Sequence, residues 1–97
     1  MSDSTMKNQL KSDLTTAMKA RDEVSSSTLR MALTAVTNEE VSGKESRELT
    51  DDEVVLVLTK EAKKRKEAVT AYNEANRADL ADRETAELAV LADYLPA

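Results

Sequence analysis

Five cations fall within the seven residues Lys60-Glu61-Ala62-Lys63-Lys64-Arg65-Lys66, in a chain whose formal net charge is -5. Bulk composition opposes such a cluster, so any positive field here comes from local placement. At about 100° per residue, Lys60, Lys63 and Lys64 share one side of a helix, and Val54, Leu58, Ala62, Val69 and Tyr72 share the other. The cluster is thus a solvent-facing patch on a core-packed helix, and the chemistry it offers is binding of something anionic. The competing reading is an ordinary solvated face, because Glu61 can reach Arg65 and Glu67 lies within a turn of Lys63 and Lys64. Nucleic acid is the commonest anionic partner for such a helix. With Tyr72 and Tyr94 the only aromatic rings, stacking on bases is disfavoured. Contact with phosphates by shape and charge remains.

Composition excludes more than it assigns. The chain has no Cys and no His, which removes thiol nucleophiles, imidazole acid–base chemistry, haem ligation and the common zinc sites. One glycine, Gly43, cannot build a phosphate-cradling loop of the Walker or dinucleotide kind. The 19 carboxylates belong mostly to solvated, paired helix surfaces. Asp, Glu, Lys and Ser keep catalysis open in principle, but no catalytic residue, metal site or cofactor is expected.

A length of 97 residues predicts one domain over 1–97, burying about two-thirds of the surface its unfolded chain exposes. With no Phe or Trp, its core must be aliphatic. Met1-Ser2-Asp3-Ser4 carries neither a basic nor an apolar leader, and no long apolar run follows. A chain that is neither secreted nor membrane-spanning is expected, and the lack of Cys fits the cytoplasm.

The elements that must position the cluster follow from apolar spacing, uninterrupted because Gly and Pro occur once each. Met6, Leu10, Leu14, Ala17 and Met18 predict a first helix over about 4–20, capped by Ser4 or Thr5. Val24, Thr28, Leu29, Met31, Ala32, Leu33, Ala35 and Val36 cover an arc of about 200° on a second helix, about 23–41. That arc is too wide for a surface helix, so the second helix is central. Its wet side holds Ser26, Ser27, Arg30, Thr34, Thr37 and Asn38. Glu40 to Arg47 are expected as a polar loop, with Gly43 beyond the helix end. Thr50 and Glu53 have capping-box spacing, Leu49 and Val54 staple positions, so a third helix runs over about 51–75. Asn73, Asn76 and Asp79 mark a turn. Leu80, Leu88, Leu91 and Leu95 share one face of a fourth helix, about 78–95, which stops at Pro96. The prediction is an all-α, four-helix domain of two antiparallel helical hairpins with the second helix central.

Three charges fall inside these apolar stripes. Arg65 projects between Leu58 and Val69, and Glu84 and Glu87 project among the leucines of the fourth helix. In a hairpin turning near Asn76, Arg65 and Glu87 are equidistant from the turn, with Glu84 one helical turn away. A buried unpaired charge costs several kcal/mol, so a structural ion pair of Arg65 with Glu84 or Glu87 is expected. An arginine beside a carboxylate favours its ionised form, which argues against general-acid work. At the chain's end, Leu91, Tyr94 and Leu95 are expected to leave apolar surface open, for self-association or a protein partner.

Several segments together resemble the YqeY-like (GatB/YqeY domain) proteins. They are Ala17-Met18-Lys19-Ala20-Arg21-Asp22, Thr28-Leu29-Arg30-Met31 and Leu49-Thr50-Asp51-Asp52-Glu53-Val54. Lys60 to Ala68 with Ala71-Tyr72, and Arg77-Ala78-Asp79-Leu80 with Glu84, Glu87 and Tyr94-Leu95-Pro96, continue the series in the same order. The resemblance implies an all-helical domain related to the C-terminal tail of the GatB subunit of tRNA-dependent amidotransferase. There the tail engages tRNA, while glutamine hydrolysis and amide transfer lie elsewhere. It also implies the family's label of carbon–nitrogen ligase with glutamine as amido donor, for which no residue here supplies a glutaminase nucleophile. Two departures stand out. Family members continue past Tyr-Leu-Pro into a second helical region, and Ser25-Ser26-Ser27 stands where they often carry a basic residue.

The functional expectation is a non-catalytic accessory module contacting tRNA or other structured RNA. Lys60, Lys63, Lys64 and Lys66 are the expected phosphate contacts, with Arg30 and Arg77 as additions. The alternatives are a module docking on a larger enzyme and, by kinship alone, a carbon–nitrogen ligase.

Overall fold

The computed structural model describes residues 5–96 and contains α1 (Met6–Lys19), α2 (Glu23–Glu40), α3 (Asp51–Glu74) and α4 (Ala78–Ala92). Among the described residues there is no strand. A cap by Ser4, or a start at residue 4, lies outside the described residues; Thr5 caps α1, its hydroxyl accepting from the Asn8 N–H at 3.2 Å. Asp22 caps α2 through the Ser25 N–H at 3.1 Å. At α3 the Thr50 hydroxyl accepts from the Glu53 N–H at 3.3 Å, and Glu53 accepts from the Thr50 N–H at 3.0 Å, completing a capping box.

Two sharp turns set the hairpins. After α1, Arg21 (φ 58°) takes the left-handed conformation; its N–H donates to the Met18 carbonyl at 3.1 Å and the Asp22 N–H to Ala17 at 2.9 Å. After α3, Asn76 (φ 59°) repeats the pattern, with the Arg77 N–H reaching the Tyr72 carbonyl at 2.8 Å. Both are Schellman closures. Asn tolerates that backbone region readily; a bulkier residue such as Arg is uncommon there.

The tightest helix pairs are α3–α4 and α1–α2, which gives the two hairpins. Helix α2 touches all three others, and so does α3, so the central role is shared. The core is aliphatic: Leu10, Leu29, Ala32, Val36, Val54, Leu58, Ala62 and Leu91 are buried together. Burial of a Leu or Val side chain is worth roughly 1.5–3 kcal/mol, so these positions carry the hairpin docking.

Four local expectations are corrected. Helix α4 ends at Ala92 rather than 95, because Leu95 precedes Pro96 and is pushed out of helical backbone. The chain instead tightens, with the Tyr94 N–H on the Leu91 carbonyl at 3.0 Å and Leu95 on Ala92 at 3.2 Å. Met18 and Met31, assigned to core stripes, are 52% and 40% exposed, while Ser26, assigned to the wet side, is buried. Leu91, expected to leave apolar surface open, is buried, while Tyr94 and Leu95 stay half-buried against the core, so part of that surface remains accessible. Glu40 is not in the loop; it is the last residue of α2 and is buried.

Candidate nucleic-acid interface

Lys60, Lys63, Lys64 and Lys66 are all exposed on the outer side of α3. Opposite them Val54, Leu58 and Ala62 are buried, which fixes the rotation of the helix and holds the lysines out. Lys64 is bound at 3.2 Å to Glu61. Among the described residues Lys60, Lys63 and Lys66 form no ion pair. Lys60 and Lys64 border the groove between α2 and α3, opposite Asn38, Glu39 and Ser42. The groove floor continues over Leu49, Leu56 and Val57 toward Glu45. The basic face thus ends against an acidic one.

The two arginines proposed beside the lysines lie elsewhere. Arg30 lines a depression with Met18 and Arg21, at the α1–α2 turn. Arg77 is the residue before α4 and is bound at 3.1 Å to Asp79, holding that carboxyl below its ordinary range. Lys66 to Glu74 alone spans about 12 Å of helix, so Arg77 is not part of the lysine cluster.

Beneath the lysines runs a chain of ion pairs. Arg65 is only 6% exposed. Its Nη1 donates to the Glu61 carboxylate at 3.1 Å and the Glu61 carbonyl at 3.0 Å, and its Nε lies 3.4 Å from Glu87. Glu87 is also bound by Arg83 at 3.0 Å, and Arg83 reaches on to Glu23 of α2 at 3.0 Å. Glu23, then Glu87, raise the affinity of Arg83 for its proton. The network ties α2, α3 and α4 together and leaves Arg65 no charge to offer a ligand. Glu84 has no ion pair among the described residues and is half-buried; of the two acids expected to meet Arg65 it is Glu87 that does, with Glu61 of α3 as the second. Arg83 was legible as the i−4 neighbour of Glu87, but no stripe argument singled it out.

A second buried pair was missed. Lys7 of α1 donates to both Glu40 oxygens at 2.9 and 3.0 Å, and the Leu49 N–H adds a third bond at 3.0 Å. These donors, Lys7 first, depress the Glu40 carboxyl. The signal was present: Glu40 follows Val36 by four residues on the buried stripe of α2. Next to it Arg47 pairs with Glu53, whose carboxyl is lowered to about 2 by Arg47 and by the Thr50 N–H. Tyr94 hydrogen-bonds the Asp13 carboxylate, and burial together with that contact pushes the phenol up. Neither tyrosine is fully exposed. Among the described residues no three Asp or Glu side chains converge as a metal site.

This four-helix frame can be compared with known proteins. The family model described as Yqey-like protein matches residues 7–97. The chain belongs to the YqeY-like family. This YqeY-like chain is 35% identical over 88 residues to a Schizosaccharomyces pombe protein described as uncharacterized, covering 90% of the chain and 69% of the relative. It is also 35% identical over 88 residues to "Altered inheritance of mitochondria protein 41, mitochondrial" of Vanderwaltozyma polyspora. The protein of that name from Lachancea thermotolerans is 30% identical over 86 residues. The YqeY-like chain covers 89% of itself but only 46% of each of these two relatives, so it spans about half their length. None of its described helices is long and apolar enough to cross a membrane.

Proposed function

We propose that this domain is a non-catalytic accessory module, acting in the cytoplasm, that binds tRNA or another structured RNA through phosphate contacts on the outer face of α3. The observation that carries the reading is the division of labour among the clustered cations. Arg65 is consumed inside the hairpin by Glu61 and Glu87, whereas Lys60, Lys63 and Lys66 stay exposed and unpaired among the described residues. Lysines held out by a rigid helix meet a polyanion without first breaking an internal bond. The resemblance to the tRNA-engaging tail of GatB supports the same partner. Amide transfer from glutamine comes to this chain by kinship alone, and no described residue is assigned to it.

The net charge of -5 repels RNA at long range, so binding is weak, local and steep in salt. Each phosphate contact contributes about 0.9 to the slope of log K against log salt, or somewhat less for single strands. The test is a tRNA titration at several salt concentrations with the parent and with Lys60→Ala, Lys63→Ala and Lys66→Ala combined. The triple variant keeps its helicity, since Ala is the better helix former. It should lose binding and flatten the slope by roughly 2–3. A parent that ignores tRNA at low salt, or a variant that binds as the parent does, ends the reading. Docking on a protein is then the second reading, favoured by Leu56, 62% exposed over the α2–α3 groove.

A further inference from the structure

The chain contains six arginines. Four are held by carboxylates: Arg47 by Glu53, Arg65 by Glu61 and Glu87, Arg77 by Asp79, and Arg83 by Glu23 and Glu87. The other two, Arg21 and Arg30, form no ion pair among the described residues, and both line one depression of ≈ 370 Å³ beside the α1–α2 turn. Glu23, Ser26 and Ser27 share its wall, with Met18 at the edge.

Composition does not force this arrangement, since 19 carboxylates are available for 14 cations. The two acids next in sequence are engaged elsewhere. Asp22 accepts from the Ser25 N–H at 3.1 Å and the Ser25 hydroxyl at 2.8 Å, and these bonds hold its carboxyl below its ordinary range. Glu23 lies 3.0 Å from Arg83, which offsets its charge. Two guanidiniums therefore border one concavity in which the Glu23 carboxylate is offset by Arg83 and the ionised Asp22 is held by Ser25, and two unpaired cations sharing that space favour an anion there. Their backbones are fixed: Arg30 sits within α2, and Arg21 is locked by the Schellman bonds that close α1.

We propose that the depression between Arg21 and Arg30 binds a phosphate group, as a monoester or a diester. Guanidinium presents a planar fork of donors that matches phosphate oxygens in pairs, and Ser26 and Ser27 bring hydroxyl groups to the same wall. The depression shares no lining residue with the α2–α3 groove bordered by Lys60 and Lys64. It is a separate site, and it stands whether or not the α3 face binds RNA.

The experiment is a ¹⁵N chemical-shift titration of the whole chain with sodium phosphate, against sodium chloride at matched ionic strength. Saturating shifts at Arg21, Glu23, Ser26, Ser27 and Arg30, with phosphate and not with chloride, are expected. Arg21→Asn with Arg30→Gln should weaken binding about tenfold or more, since hydrogen bonds to charged groups are lost. Asn accepts the left-handed backbone at position 21, and both positions are exposed, so the melting curve should be preserved. The combined Lys60, Lys63 and Lys66 variant, whatever phosphate it loses on α3, should keep the parent's shifts at Arg21, Ser26, Ser27 and Arg30. A uridine dinucleotide with and without a 5′-phosphate separates the two sources. Binding only of the phosphorylated form assigns a terminal phosphate; equal binding assigns a diester. Shifts reproduced by chloride, full binding by the double arginine variant, or failure of both dinucleotides would overturn the site and leave an adventitious ion only.

Discussion

Replacing Arg65 with Met keeps a long side chain in the α3–α4 interface and removes its charge. In the parent, Arg65 stands between Glu61 at 3.1 Å and Glu87 at 3.4 Å and is 6% exposed. Orphaning one member of a buried pair costs about 3–5 kcal/mol. Here the lower end applies, because each carboxylate keeps a second cation: Lys64 lies 3.2 Å from Glu61 and Arg83 3.0 Å from Glu87. An expected loss of about 3 kcal/mol lowers the melting temperature of a domain this size by roughly 12 °C or more. Urea and thermal unfolding followed by circular dichroism measure it. Arg83→Gln is the internal comparison; its side chain is 39% exposed and screened by solvent, so its loss should be much the smaller of the two. Combining Arg65→Met with Glu87→Leu should recover most of the stability, since an apolar pair of similar volume replaces a buried ion pair at little or no cost. An Arg65→Met protein as stable as the parent refutes the reasoning. So does a double variant that loses the sum of both single changes.

Glu40→Gln keeps an acceptor for the Leu49 N–H and removes the charge that Lys7 meets. A loss of about 1–2 kcal/mol is expected, with faster amide exchange confined to residues 41–50; unchanged exchange at Leu49 counts against the pair as the anchor of that loop. Acid should act through the same carboxylates. Glu53 is held at about 2 and Glu40 is also lowered, both from an ordinary 4.5, so the unfolded chain binds their protons first. Their contribution is complete above about pH 5 and is lost as pH falls toward about 2, so the melting temperature drops across that window. Glu53→Gln should shallow the drop, and an equally steep profile in that variant argues against the assignment.

Much of the architecture is written in the period of the sequence. Spacing of Leu10, Leu14 and Ala17, of Leu29, Ala32 and Val36, and of Val54, Leu58 and Ala62 specifies helices and their inward faces, because each helix's angle per residue is a local property. Thr50 and Glu53 likewise set the start of α3 locally. The same angles put Arg65 and Glu87 at matching heights across one hairpin. What they leave open is how far one helix leans on another. Met18 and Met31 satisfy the stripe pattern yet stay 52% and 40% exposed, Met31 even though its sulfur accepts from Arg65 of α3 at 3.7 Å. Glu40 reads as a loop acid until α1 brings Lys7 to it from 33 residues away. Glu23 and Arg83, 60 residues apart, meet only when α4 docks on α2. That capture leaves Arg21 and Arg30 facing one depression with no ion pair of their own among the described residues. Local geometry names the residues on a face; the docking of hairpins decides which charges cancel and which remain for a ligand.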